Sequence, residues 1–434
     1  MFFAARISCN HKTMSSLKVA IVLSLSSILP GASASTAMGA TSAFQEQMRG
    51  SAGVLITDQT TGYEAGLWIA FPHRRASQLV GREWSPLALD ARGTVAAVPA
   101  RSWGGALPAS RRREFALLRG ARIRRIRTIG RPLCARWSAD GRGLALLTGR
   151  VVTYNGLYPG APFGIRGTLW VLRLDARAKP HGLIRVASGV FPTTVCPAWS
   201  TIGRSLAYVV RVKRDPWRLR LFSGGRSQDI VRLRSSVPSV SDNNFAWDPR
   251  NESLVFVDEF ALYRFADGRV QPLPLSEEAI AAFKESIMRG YSADRRQCRF
   301  SPSGELLTVG IANATAVLHA RGRVIRVLGT KFTGWAGERG VLTVGLDRSG
   351  IVTLFLTTPT ASGAPRALER KFKESVVTDP GAGWFAYIDR LREAVVFRRP
   401  DGQVISKRAF AFAPEVLGAR SARGTISPPV PESL

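Results

Sequence analysis

Histidine, cysteine and lysine are scarce in this chain of 434 residues. Apart from His11 near the N-terminus, the histidines are His73, His181 and His319, far apart and without the spacing of a metal site. There is no nucleophile elbow and no Gly-rich phosphate loop. These absences remove the usual sequence signs of metal-assisted, nucleophilic and phosphoryl-transfer chemistry, so no catalytic residue, metal or cofactor is expected. Beyond the N-terminus no stretch approaches the ~18 uninterrupted apolar residues that mark a transmembrane helix. Acidic residues are also few, 31 against 61 basic ones, which leaves a net charge of +30. Nine of the basic residues are lysines and 52 are arginines. A hydrophobic share of 45% excludes a wholly disordered chain.

The first 34 residues read as a secretory signal. Arg6, Lys12 and Lys18 form a basic n-region, and Val19 to Leu29 an apolar h-region. Pro30 and Gly31 break it, and Ala32-Ser33-Ala34 fits a small-residue cleavage site. An uncleaved anchor is the alternative. Export to a bacterial periplasm, cell envelope or the outside follows as an expectation. Residues 35–52 read as a flexible linker, 53–413 as the folded body and 414–434 as a disordered tail.

The body repeats. An apolar strand ends in Trp-Ser or a variant, a turn with glycine follows, then a second apolar strand. Trp137-Ser138-Ala139-Asp140-Gly141 leads into Leu144 to Leu147, and Trp199-Ser200-Thr201-Ile202-Gly203 into Leu206 to Val210. Trp247-Asp248-Pro249 and Phe300-Ser301-Pro302-Ser303-Gly304 do the same, with weaker copies at Trp335, Asp379 and Leu89. A third strand, a turn such as Asp267-Gly268 or Asp401-Gly402, and a fourth strand close each unit. Four short antiparallel strands every ~40–50 residues mark a propeller blade. The fold expected is therefore an all-β propeller of four-stranded antiparallel blades, seven or eight in number. The ring would close by pairing of N- and C-terminal strands, with Arg408 to Phe412 supplying the inner strand of the first blade.

The Trp-Ser-x-Asp-Gly turn, the strand after it and the Leu-Trp or Leu-Tyr third strand resemble the repeats of TolB-like and WD40-like propellers. The likeness spans roughly residues 53–405 and is best at Trp137, Trp199 and Phe300. The α/β domain that precedes the propeller in TolB itself has no counterpart, so the resemblance does not imply that protein's partnership with a peptidoglycan-associated lipoprotein. One fold serves many functions.

Trp137, Trp199, Trp247 and Trp335 recur at the blade period, which argues for packing between blades. Ser138 and Ser200 should bond turn backbone. Cys134 and Cys196 each stand three residues before a tryptophan, so a disulfide between them would link neighbouring blades; two buried thiols are the alternative. A long loop after Thr148 carries Tyr154 and Tyr158, candidate binding residues. Ser276 to Met288 reads as a helix with Ser276 as N-cap and a stripe of Ile280, Phe283 and Ile287, which should pack on one face of the disc.

The charge carries the functional expectation. Arg122, Arg124, Arg125, Arg127 and Arg131 crowd one stretch, and Arg211, Lys213, Arg214, Arg218 and Arg220 another around Trp217. Arg131, Arg214, Trp217, Arg295 and Arg296 should converge on one propeller face, which would attract an anionic polymer or an acidic protein. A genome that favours arginine at any surface position is the competing explanation. The resulting expectation is an exported, monomeric, non-enzymatic scaffold that binds a protein or an anionic envelope polymer. The alternative is an exported glycan lyase or hydrolase with its site in the central funnel. Specific nucleic-acid binding is not expected of an exported chain.

Overall fold

A computed structural model describes strands, one helix and tight turns between residues 53 and 427. Residues 1–52, 100–113, 150–166, 191–196, 211–215, 235–244, 290–295 and 428–434, and several shorter connections, lie outside the described residues. The proposed signal and linker, Tyr154, Tyr158, Cys196, Arg214 and Arg295 all fall there.

The described strands sort into eight antiparallel units. The second unit is β4 (Trp84–Leu89), β5 (Val95–Pro99), β6 (Glu114–Arg119) and β7 (Arg122–Arg127). The third is β8 (Arg131–Trp137), β9 (Gly143–Gly149), β10 (Gly167–Leu174) and β11 (Pro180–Val190). The fourth is β12 (Ala198–Trp199), β13 (Ser205–Val210), β14 (Arg218–Ser223) and β15 (Arg226–Arg232). One pairing, Val190 with Val210, joins these last two into a single sheet. The fifth is β16 (Phe245–Trp247), β17 (Leu254–Asp258), β18 (Ala261–Ala266) and β19 (Arg269–Leu273). The sixth is β20 (Arg296–Phe300), β21 (Leu306–Ile311), β22 (Ala314–His319) and β23 (Val324–Leu328). The seventh is β24 (Lys331–Ala336), β25 (Gly340–Leu346), β26 (Val352–Thr357) and β27 (Arg366–Arg370). The eighth is β28 (Val376–Thr378), β29 (Phe385–Asp389), β30 (Ala394–Arg398) and β31 (Val404–Ala409).

The first unit is assembled from both ends of the described chain. β1 (Gly53–Asp58), β2 (Ala65–Ala70) and β3 (Ser77–Val80) are joined by β32 (Pro414–Arg420) and β33 (Ile426–Ser427), in the order β3-β2-β1-β32-β33. β1 pairs with β32 from Gly53 opposite Arg420 to Asp58 opposite Pro414. This corrects two expectations. Arg408 belongs to β31, the outermost strand of the eighth unit, and the closing strand lies further along the chain. The segment from 414, read as a disordered tail, holds that strand.

Burial runs outward from the second strand of each unit. β9, β13, β17 and β21 are buried along nearly their whole length, because a neighbouring unit covers each face. β7, β15 and β19 are mostly exposed. Eight hydrophobic clusters sit between consecutive units, one at each seam. The cluster of Val54, Ile56 and Ala70 with Val377, Trp384 and Phe397 joins the eighth unit to the first. Stacking is what stabilises each sheet, since a lone four-stranded sheet leaves both faces wet. The seams are consistent with the eight-blade form of the expectation.

The repeated turn is held by its own side chain. Ser138 Oγ accepts from Gly143 N at 2.7 Å, Ser200 Oγ from Ser205 N at 3.1 Å, and Ser301 Oγ from Leu306 N at 3.1 Å. Gly304 closes its turn at φ +78°, and a Cβ there would meet Pro249 Cγ of the fifth unit at 2.7 Å. Both conformation and close approach therefore require glycine at this position. In the fifth unit Asp248 replaces the serine. Its buried carboxylate accepts from Arg250 N at 3.0 Å and from the Arg250 guanidinium at 3.0 and 2.9 Å.

Helix α1 (Glu277–Met288) is capped by Ser276, whose side chain accepts from Ala279 N at 3.2 Å. It packs on β22 and β23, with Ala279 and Phe283 in the cluster that joins the fifth and sixth units. The buried face is Ala279, Phe283 and Ser286, supported by Ile287, while Ile280 is only half-buried. Ser286 is tolerated inside because its hydroxyl accepts from Asn313 N at 2.8 Å.

Candidate functional site

The structure separates the arginines by what they bond. One set fastens units together. Arg264 donates to the Ala320 carbonyl of the sixth unit. Arg326 donates to Gly363 O of the seventh at 2.8 Å, Arg366 to Asp401 O of the eighth, and Arg408 to Pro72 O of the first at 2.7 Å. Each guanidinium crosses one seam and ends on the connection between the third and fourth strands of the next unit. Arg398 works across the seventh–eighth seam in the other direction, reaching Glu369 Oε2 at 3.2 Å while Tyr387 OH donates to the same carboxylate at 2.8 Å. Burial pushes the Tyr387 phenol well above its ordinary range, so it stays a neutral donor.

A second set is neutralised locally. Asp229 on β15 takes Arg218 at 2.5 Å and also bonds Arg220. Burial would raise that carboxyl, but the hydrogen bonds and charge of Arg220 and Arg218 hold it below the usual carboxylate range. Trp217, placed on a basic face by its neighbours in sequence, is instead 6% exposed. It lies in the cluster between the fourth and fifth units with Leu219, Phe245 and Trp247. This corrects its reading as a binding residue: the side chain has no access to a ligand. Arg131 and Arg296 begin the inner strands β8 and β20, as their place in the repeat requires. Cys134 is disulfide-bonded, and its expected partner Cys196 is outside the described residues. Cys298 is a free, buried thiol.

The third set is exposed and concentrated on β7, whose sequence is Arg-Ile-Arg-Arg-Ile-Arg. β7 is the outermost strand of its sheet and pairs only with β6. All four arginines are exposed, as is Ile123 at 52%. Arg125 approaches Glu114 at 3.4 Å; Arg122, Arg124 and Arg127 are in no ion pair among the described residues. Alternation puts Arg122 and Arg124 on one face of the strand and Arg125 and Arg127 on the other, about 7 Å apart within each pair at ~3.3 Å per residue. A strand edge lined by cations resists pairing with a second sheet, and offers an anion two rows of guanidinium groups.

No family model and no curated protein sequence matches the chain. Several solved structures share its architecture at low identity. The C-terminal WD40 domain of Sif2 is 11% identical, with a TM-score of 0.46 over 76% of this chain and 85% of that one. The Pseudomonas aeruginosa periplasmic gluconolactonase PpgL is 16% identical, with a TM-score of 0.38 over 85% of this chain and 98% of that one. The β-propeller domain of Myceliophteria thermophila Cps50 (Swd1) is 16% identical, with a TM-score of 0.39 over 66% and 88%. Sheet order, repeated turns and eight packed seams carry the conclusion that the chain is a β-propeller.

Proposed function

We propose that the chain is an exported, non-enzymatic propeller of the TolB-like kind that acts as a monomeric scaffold, gripping an acidic protein or anionic envelope polymer through its basic rim. The observation that carries this reading is β7, where three of four exposed arginines are in no ion pair among the described residues. The basic n-region and the apolar stretch Val19 to Leu29 support export. The rim replaces the propeller face as the favoured surface because Trp217 is in the core and Arg218 and Arg220 are occupied by Asp229. Surface charges of this kind are screened beyond ~8 Å at physiological salt, so the grip is short-ranged and salt-sensitive.

The test is binding of polyglutamate to the full chain across a salt series, repeated with the R122E/R124E/R127E variant. Binding that weakens with salt and at least tenfold with the variant supports the reading. Equal binding by both proteins refutes it.

A further inference from the structure

A groove of about 560 Å³ opens at the seam between the third and fourth units, on the side of the disc where first strands turn into second strands. Three arginines from three separate segments line it. Arg142 stands in the turn after Trp137, Arg173 at the end of β10, and Arg204 in the turn after Trp199. All three are exposed, and none is in an ion pair among the described residues. His181, at the start of β11, adds a fourth nitrogen-bearing side chain.

The two carboxylates in the lining are otherwise engaged. Asp140 accepts from Ser138 Oγ at 2.6 Å and from Arg142 N at 3.0 Å, and Asp175 accepts from Lys179 N at 2.8 Å. Trp199 walls the groove and is held there, since its indole N–H donates to Arg136 O across the seam at 3.0 Å. At the mouth, the hairpin between β14 and β15 turns on Gly224 (φ +57°) and Gly225 (φ +83°), and a Cβ at either would meet no atom within 4 Å. The positive φ angles call for glycine, and the same two residues leave the mouth without an overhanging side chain.

We infer that this groove is a binding site for a small polyanion bearing at least two carboxylate or phosphate groups. The size is that of a small-molecule site, and guanidinium forks match either oxyanion in bidentate geometry. Three arginines drawn from two units outnumber the two carboxylates in the lining, and none of the three is in an ion pair among the described residues. A ligand bridging Arg142 and Arg204 also ties two blades together. The site is separate from β7 and does not rest on the rim reading.

The experiment is calorimetric titration of the full chain with citrate and, separately, with pyrophosphate. Saturable binding of either anion, weakened at least tenfold in R142A/R204A and in R173Q but kept in R122E/R124E/R127E, is the expected result. The arm that binds tells carboxylate from phosphate chemistry. No saturable binding of either anion by the folded chain overturns the proposal. Equal affinity in the groove variants, or loss only in the rim variant, overturns it as well and returns the charge to β7. Two independent groove variants guard against one of them failing to fold.

Discussion

The indole N–H of Trp247 donates to the backbone carbonyl of Ala198, 49 residues earlier, at 2.9 Å. Trp199 makes the same bond one unit back, to Arg136. In each case the acceptor is the residue just before the preceding unit's tryptophan. Each bond therefore ties the inner strand of one unit to the tryptophan of the next.

The series is incomplete, which allows a controlled comparison. The indole N–H groups of Trp137 and Trp335 are buried and have no partner among the described residues. Phenylalanine at 247 and at 335 should cost similar packing, but only W247F also breaks a hydrogen bond, worth about 1 kcal/mol. W247F should therefore be the less stable variant in urea by about that amount. Equal midpoints would show that the bond contributes nothing net.

Arg408 fastens the last unit to the first, with its guanidinium on Phe71 O at 3.1 Å and Pro72 O at 2.7 Å; Ser406 Oγ adds a bond to Pro72 O at 2.6 Å. R408A should destabilise by about 1.5–3 kcal/mol, the range for charged hydrogen bonds. Hydrogen exchange should rise first in β1 and β2 while β17 and β21 stay protected. A uniform rise across all units would instead show that the ring opens only as a whole.

Asp248 should give the acid limb of stability a specific component. Burial would raise its carboxyl, but hydrogen bonds from the Arg250 side chain and backbone and the charge of Arg264 hold it below the ordinary value. A depressed folded-state pKa means that this stabilisation is fully present above about pH 4, the unfolded value. It is lost as pH falls through the lower folded value. D248N should lose about 1.5–3 kcal/mol at neutral pH, the cost of charge-assisted hydrogen bonds, and show a shallower loss toward acid. Unfolding free energy followed from neutral to about pH 2 decides it. An unchanged acid slope in D248N would assign that slope to other carboxylates.

Cys298 is buried, and burial pushes its thiol up, so it should ignore thiol reagents until the chain unfolds. We propose Cys196 as the partner of Cys134. A peptide map without reductant should join those two peptides, and reduction should cost about 2–4 kcal/mol. A map joining Cys134 to any other cysteine would remove the proposed link between the third and fourth units.

The repeat was legible because its signals are local. Ser138, Ser200 and Ser301 bond backbone five residues ahead, so the turn is written in one short window. The helix start at Ser276 is legible for the same reason. Failures arose where partners are distant. Arg408 to Phe412 and Pro414–Arg420 are neighbouring segments, and only the pairing with β1 decides which one closes the ring. Trp217, among Arg214, Asp215, Pro216 and Arg218, looks solvent-facing until the fifth unit covers it. The fastening arginines are the clearest case. Arg326 and Arg366 sit on outer strands like β7, and nothing nearby in sequence distinguishes a guanidinium that ends on a carbonyl of the next unit from one that ends in water.

The meeting of β1 with β32 sets a timetable for synthesis. Phe71 is polymerised 337 residues before the Arg408 that binds its carbonyl. At ~5–20 residues per second, that acceptor waits roughly 17–67 s on the ribosome. Throughout this interval β1 lacks its inner neighbour, and Val54 and Ile56 lack the eighth unit that covers them. Middle blades can stack as they emerge, whereas the first stays an open, adhesive edge until the final strand arrives.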